Sequence, residues 1–306
     1  MAAVAVLLKA GYVSGAAVAD DGEVLGRHRE NYPVGPGSSG PQDDDLTAAV
    51  VATVRALRAP GQRSTVGLAF EPLVGHVPRL RHALEHVQEQ VHLETAARAA
   101  AWGEHRFGVL RGIQAPQNSM TVTVGASIRG GLILRGRLVR GAHGLGGEIG
   151  HLPFVPGGRQ CECGLEGCFD RYASATALVE RTRAALIETA EVGQRLALDV
   201  RNGPIDEVAS EIVRAAVNGN ESALGQTAEI GRHLGMGIGR LVKPLSLSGV
   251  VLRGSFVDDA GDILLTPARE AMSRTVGQST DLELRAGLPG DDAVLLGVTD
   301  LSLNAH

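Results

Sequence analysis

Apolar positions along the chain change their period repeatedly, and each change marks an element. Val4–Leu8 run apolar for a strand length, and SGAAVAD and GEVLGRH form strand patterns on either side of the turn signal Asp20-Asp21-Gly22. A Pro/Gly/Ser-rich stretch, NYPVGPGSSGPQ, leads to Asp43–Asp45, which cap a predicted helix through Leu57 that Pro60-Gly61 ends. STVGLAF predicts a buried strand, and Leu80, Leu84 and Val87 share one helical face. The strand VHLE and an Ala-rich helix to Gly103 follow. The second half begins similarly, with TVTVGAS and GGLILRG as hairpin strands. Helices are then predicted over roughly Ala175–Val192, Ile205–Val217 and Glu221–Lys243, the last stopped by Pro244. GVVLRGS is a strand, Pro267–Val276 a helix, DLELRA a short strand and DDAVLLGVTDLSL a final capped helix. Two halves that both place early strands before alternating helices predict a duplicated α/β unit with a cleft. The expected division is 1–116 and a larger 117–289, with the crossing in LRGIQAPQNS.

Composition narrows the class. The 306 residues can fill two domains, and 44% hydrophobic residues with only 3% aromatics predict an aliphatic core. A net charge of −5 offers no electrostatic case for nucleic acid or an anionic membrane. No apolar run approaches the ~18 residues of a spanning helix. The start, MAAVAVLLKAG, lacks a basic n-region and reads as a strand, not a signal peptide. Lysine occurs only at Lys9 and Lys243 while arginine is abundant, so a single arginine is weak evidence of function.

All three cysteines lie in GGEIGHLPFVPGGRQCECGLEGCFD, Gly146–Asp170. With His151 they form H-x9-C-x-C-x4-C, a donor set suited to a closed tetrahedral zinc site formed by His151, Cys161, Cys163 and Cys168. The plainer alternative is three reduced thiols and a surface histidine. Four protein ligands leave no position for a reacting water, so the expected zinc is structural. Three cysteines cannot pair completely, which fits a cytoplasmic protein with metal-bound thiolates.

G-A-H-G-x-x-G-E-I-G-H, Gly141–His151, followed by C-x-C-G-x-x-G-C, Cys161–Cys168, resembles the signature of the ROK family of repressors, open reading frames and sugar kinases. DGEVL, AAAWGE and the long helix before GVVLRGS extend the likeness over most of the chain. The resemblance implies an actin-like, RNase H-type fold of two α/β domains, with residues 290–306 returning to the first. It implies sugar binding in the cleft through Glu148, His151 and Asp170, the last being Asp where the family usually has Glu. One imidazole nitrogen of His151 would bind zinc while the other faces the ligand. A homodimer or homotetramer is implied as well.

Against that family pattern the phosphoryl-transfer residues are missing. The base of N-D-A-N falls on Thr95, Ala96, Ala97 and Arg98, so the aspartate is Ala96. Glu94, two residues earlier, is the remaining candidate base. D-x-G-G-T-K aligns with Leu7–Tyr12, placing Leu7 where a metal-side carboxylate belongs. The second phosphate loop reads Gly125–Gly131 with Ile128 and Arg129 inside it, and a family glycine pair reads Arg253-Gly254. EPLVGHVP shortens the loop that usually covers the sugar. ATP and Mg²⁺ are therefore not expected.

Arg98, Arg129 and Arg253 are either arginine-rich surface or a rewired anion pocket. G-M-G-I-G, Gly235–Gly239, sits in a helix and predicts close packing, not a nucleotide loop. His76, His82, His86 and His92 are expected to be solvated or capping. The expected function is a non-phosphorylating binder or sensor of a sugar-like molecule, with no nucleic acid bound by this chain alone. The alternatives are a diverged sugar kinase of glucokinase or N-acyl-hexosamine kinase type, or an enzyme reusing the fold. A third is a regulator lacking its N-terminal DNA-binding domain.

Overall fold

Three strands, β1 (Ala2–Lys9), β2 (Tyr12–Ala19) and β3 (Val24–Asn31), open the fold in this computed structural model. It describes residues 2–33, 43–58, 65–71, 90–111, 117–188, 203–277 and 282–304. β1 is buried from Ala3 to Leu8, as a strand covered on both faces must be, whereas β3 alternates half-buried and exposed residues at a sheet edge. Helix α1 (Asp43–Leu57) packs Leu46, Val50 and Val54 with Val4, Val6 and Leu8 of the sheet. β4 (Thr65–Phe70) pairs in parallel with β1, and β5 (Gln90–Thr95) with β4, giving the order β3-β2-β1-β4-β5. Helix α2 (Ala96–Arg106) leaves β5 directly, with Thr95 Oγ1 accepting the Arg98 N–H as its N-cap.

The second unit, Gly112–Gly290, repeats the plan. β6 (Ser119–Val124) and β7 (Ile128–Leu134) form an antiparallel hairpin that β8 (Arg137–Leu138) extends. A 3₁₀ turn at Ile149–His151 and helices α3 (Asp170–Ala173), α4 (Ala175–Glu188), α5 (Ile205–Val217) and α6 (Glu221–Leu245) follow. β9 (Gly249–Arg253), α7 (Ser255–Ala260), α8 (Asp262–Val276) and β10 (Glu283–Ala286) complete it, with the sheet order β10-β9-β6-β7-β8. Its core joins Val122, Val250 and Leu252 of the sheet to Ile230, Leu234 and Ile238 of α6.

The last helix, α9 (Asp292–Leu303), belongs to the first unit, Met1–Arg111 with Asp291–His306. Two glycines let it approach. A Cβ on Gly297 would strike the Ala99 carbonyl, and one on Gly103 the Ala293 carbonyl. Trp102 Nε1 donates to Asp300 Oδ2 at 2.7 Å, fixing the crossing of α2 and α9.

Several predicted boundaries move. α6 does not stop before Pro244 but runs through it to Leu245, ending where Ser246 turns left-handed at φ 50°. A proline in a final turn forfeits one backbone bond, too little to end a helix early. α8 starts at Asp262, ahead of Pro267, and α7 had no predicted counterpart. The predicted helix through Leu80, Leu84 and Val87, the Pro60-Gly61 stop, the shortened EPLVGHVP loop beyond Glu71, and His76, His82 and His86 lie outside the described residues. Among those described, no helix is long and apolar enough to cross a membrane.

The G-M-G-I-G run is a packing surface. A Cβ on Gly235 would collide with the Ala268 carbonyl of α8, and one on Gly237 with the Phe169 ring. Gly235→Val should therefore lower stability by about 1–3 kcal/mol, the usual cost of overpacking, as chemical denaturation would measure. An unchanged midpoint would contradict this contact.

Candidate metal centre

The segment from Gly141 to Asp170 has little regular structure, so backbone contacts must set its path. Gly147 at φ 96° lays its carbonyl on the Gly130 N–H of β7 at 2.9 Å, and no side chain fits between the two glycines. This contact sets Glu148 and the Ile149–His151 turn against β7. Beyond it, Pro153 and Cys168 form a bridge, Phe154 N–H bonds Gly167 O, and Cys161 N–H bonds Leu165 O, folding 153–168 into a knuckle.

The knuckle brings the four predicted ligands together. One donor atom each from His151, Cys161, Cys163 and Cys168 lies within 4.8 Å of all the others. His151 Nδ1 is 3.6 Å from Cys161 Sγ, and Cys163 Sγ is 3.6 Å from Cys168 Sγ. Tetrahedral zinc, with Zn–S near 2.3 Å and Zn–N near 2.0–2.1 Å, sets its ligand atoms about 3.5–3.8 Å apart. The donor set is thus compatible with zinc in chemistry and in spacing. Burial and the adjacent thiols push Cys168 up to about 12, while the Leu165 backbone hydrogen bond pulls exposed Cys163 down. Sulfurs this close resist carrying charge together unless a cation stands among them.

Helix α6 holds the knuckle from outside. Phe154 packs on Phe169, Tyr172 and His233 at centroid distances of 5.3, 5.6 and 5.7 Å. Arg240 donates to the Phe154 carbonyl at 2.9 Å and lies over its ring. His233 Nδ1 lies 2.9 Å from the Tyr172 carbonyl, and burial lowers its pKa. These supports were not predicted; Arg240 lies 86 positions from Phe154, and no local pattern links them.

The three sugar-facing candidates share this unit. Asp170 opens α3, and its Oδ1 accepts the Ile128 N–H at 2.5 Å. Burial raises its pKa against the lowering effects of that hydrogen bond and of His151, Arg129 and Arg171. Glu148 Oε2 pairs with Arg129 Nη1 at 3.2 Å, both side chains about one-third exposed (33% and 30%). His151 is half-buried beside Cys161.

The hairpin turn that precedes Arg129 is tied to the starts of α3 and α4. Gly125 O accepts Ala175 N–H, Ala126 O accepts the Thr176 hydroxyl, and Ile128 N–H is taken by Asp170. Arg253, 5% exposed at the end of β9, donates to the Gly290 carbonyl at 2.6 Å. Asp258, which sequence reasoning missed, accepts the Gly290 N–H at 3.3 Å.

In the first unit, Ala96 is the first residue of α2. Glu94, 2% exposed, accepts the Thr95 N–H at 2.9 Å and pairs with Arg98 Nε at 2.5 Å. Leu7 is buried in β1, and Lys9 pairs with Asp291 at 3.2 Å.

A family model described as ROK family matches residues 74–304. Glucokinase of Streptomyces coelicolor is 29% identical over 309 residues, spanning 95% of this chain and 94% of that protein. The xylose repressor of Bacillus subtilis is 27% identical over 215 residues, 70% of this chain and 50% of the repressor. The ROK family glucokinase from Streptomyces griseus, solved with glucose and AMPPNP, has a TM-score of 0.78 at 27% identity, covering 98% of this chain and 99% of that one.

Arg98→Ala takes the guanidinium from a buried carboxylate. Stability should fall by about 1.5–3 kcal/mol, the range for a hydrogen bond to a charged group. Adding Glu94→Gln should recover part of it in the same denaturation assay. Wild-type stability in Arg98→Ala would mean that the pair contributes nothing to the fold.

Proposed function

The chain belongs to the ROK family, with its two-domain actin-like sugar-kinase fold, and from that premise we propose a non-phosphorylating binder of a sugar or sugar-like molecule, braced by structural zinc. The observation that carries this reading is the Glu94–Arg98 pair beside Ala96. The family's proton-accepting aspartate is an alanine here, and the carboxylate nearest in sequence is committed to a guanidinium. General-base catalysis is worth ~10²–10⁴ in rate, so this loss alone removes most of a kinase's turnover.

The phosphate side agrees. Leu7 has no charge for a metal, and the 125–131 turn spends its Ile128 N–H on Asp170. Support for the sugar side comes from Glu148, His151 and Asp170, which lie on or beside the knuckle where His151, Cys161, Cys163 and Cys168 would hold the zinc. When bound, that zinc would fix the His151 ring through one nitrogen and leave the other for a ligand hydroxyl. Relatives named as glucokinases and xylose repressors support a monosaccharide as the ligand. Their glucokinases also support a second reading, a diverged kinase with Glu94 as base. For that, Glu94 would have to leave Arg98.

Protein purified without chelator should carry one zinc per chain by elemental analysis, and Cys161→Ser should lose it together with thermal stability. Metal-free wild-type protein would refute the brace.

Incubation with ATP and glucose or xylose should give no turnover in the ~1–100 per second range of kinases. Calorimetry without nucleotide should show binding that Glu148→Gln weakens roughly ten- to a hundredfold with zinc retained. Kinase-range turnover, or unchanged affinity in Glu148→Gln, would count against the reading.

A further inference from the structure

We propose that Cys163 and Cys168 are an oxidisable pair, making the knuckle a thiol modification site at which hydrogen peroxide releases the zinc and frees His151. The proposal rests on the zinc reading above and goes beyond it. Of the four ligands Cys163 alone is exposed; Cys161 and Cys168 are buried and His151 is half-buried. A peroxide must reach the sulfur it oxidises, and a zinc-bound thiol is already deprotonated. Residues Glu162–Glu166 around Cys163 are exposed, and nothing lies within 4 Å of a Cβ placed on Gly164. Cys168 is the fixed partner, bridged to Pro153 and followed by buried Phe169. Their sulfurs are 3.6 Å apart, so a disulfide bond of about 2.05 Å needs an approach of only about 1.5 Å, which the outer cysteine is placed to make.

The chemistry balances without a further reductant or oxidant. The Cys163 thiolate attacks one peroxide oxygen; an S–O bond forms, the O–O bond breaks, and hydroxide leaves as water once protonated. The Cys168 thiolate then attacks the sulfenic sulfur; an S–S bond forms, the S–O bond breaks, and a second hydroxide leaves. Two electrons pass from the sulfurs to the peroxide, and two protons from solvent complete two waters. With those two sulfurs joined, only His151 and Cys161 would remain to hold zinc, too few donors for a closed site. The imidazole would then lose the bond that fixes its tautomer and orientation. Neither the Asp170 contact to Ile128 nor the Gly130–Gly147 contact involves a sulfur. Oxidation therefore removes the oriented histidine while the carboxylates stay placed.

The test uses the whole wild-type chain. Metal content is measured first, then hydrogen peroxide is added while a colorimetric chelator follows the zinc. Cysteine linkage is mapped by mass spectrometry of unreduced peptides. The expected result is release of the one zinc per chain, a Cys163–Cys168 linkage, and reversal by a dithiol with added zinc. Cys163→His keeps four donors and should release zinc at least about tenfold more slowly, since the accessible thiolate is gone. Release without that linkage, a linkage through Cys161, or no release from zinc-loaded protein would overturn the proposal. Protein that carries no zinc before oxidant would sink the metal reading instead, and the linkage map on that sample would still decide the pair. If Cys163→His does not bind zinc, the wild-type map alone decides.

Discussion

Three sulfurs and an imidazole nitrogen stand within 4.8 Å of one another, and bringing them there is the constraint that shapes residues 151–168. The segment that carries them has neither helix length nor strand pairing to keep its shape. It is supported from α6, where His233 packs with Phe154, Phe169 and Tyr172 and Arg240 binds the Phe154 carbonyl. The Gly130–Gly147 contact joins this body to β7. Glu148 and His151 follow directly from that contact, and Asp170 is tied to the same strand by the Ile128 N–H that it accepts.

What a sequence can reveal here depends on the reach of each interaction. The metal ligands fall between residues 151 and 168, close enough for spacing alone to imply a cluster, and the structure gathers all four. Helix ends were harder, since Pro244 and Pro267 each sit inside a helix whose packing outweighs one missing hydrogen bond. The partners of the arginines were hardest. Arg129 meets Glu148 at a separation of 19 and Arg253 meets Gly290 at 37, distances over which only the fold decides. The Glu94–Arg98 pair was within reach, because an i,i+4 spacing on entry to a helix is a recognisable signal.

Those pairings alter the electrostatic meaning of the three arginines. Each has a partner within its own unit: a buried carboxylate, a half-buried one, and a backbone carbonyl. An incoming anion would have to compete with groups already in hydrogen-bond range, and for Arg98 that means leaving Glu94 buried and unpaired. The arginines therefore act first as internal ties, where the related pattern has polar residues or glycine.

The return of α9 to the first unit also has a consequence in time. Its Gly297 and Asp300 complete a surface whose other half, α2 with Gly103 and Trp102, lies almost two hundred positions earlier. During synthesis at ~5–20 residues per second, the ribosome must finish all of 112–290 before that partner emerges. The usual order, in which the N-terminal unit matures first, is thus reversed: the first unit is born early and completed last. Through that interval, the apolar face that α9 will cover is open to chaperones, proteases and the neighbouring nascent chain.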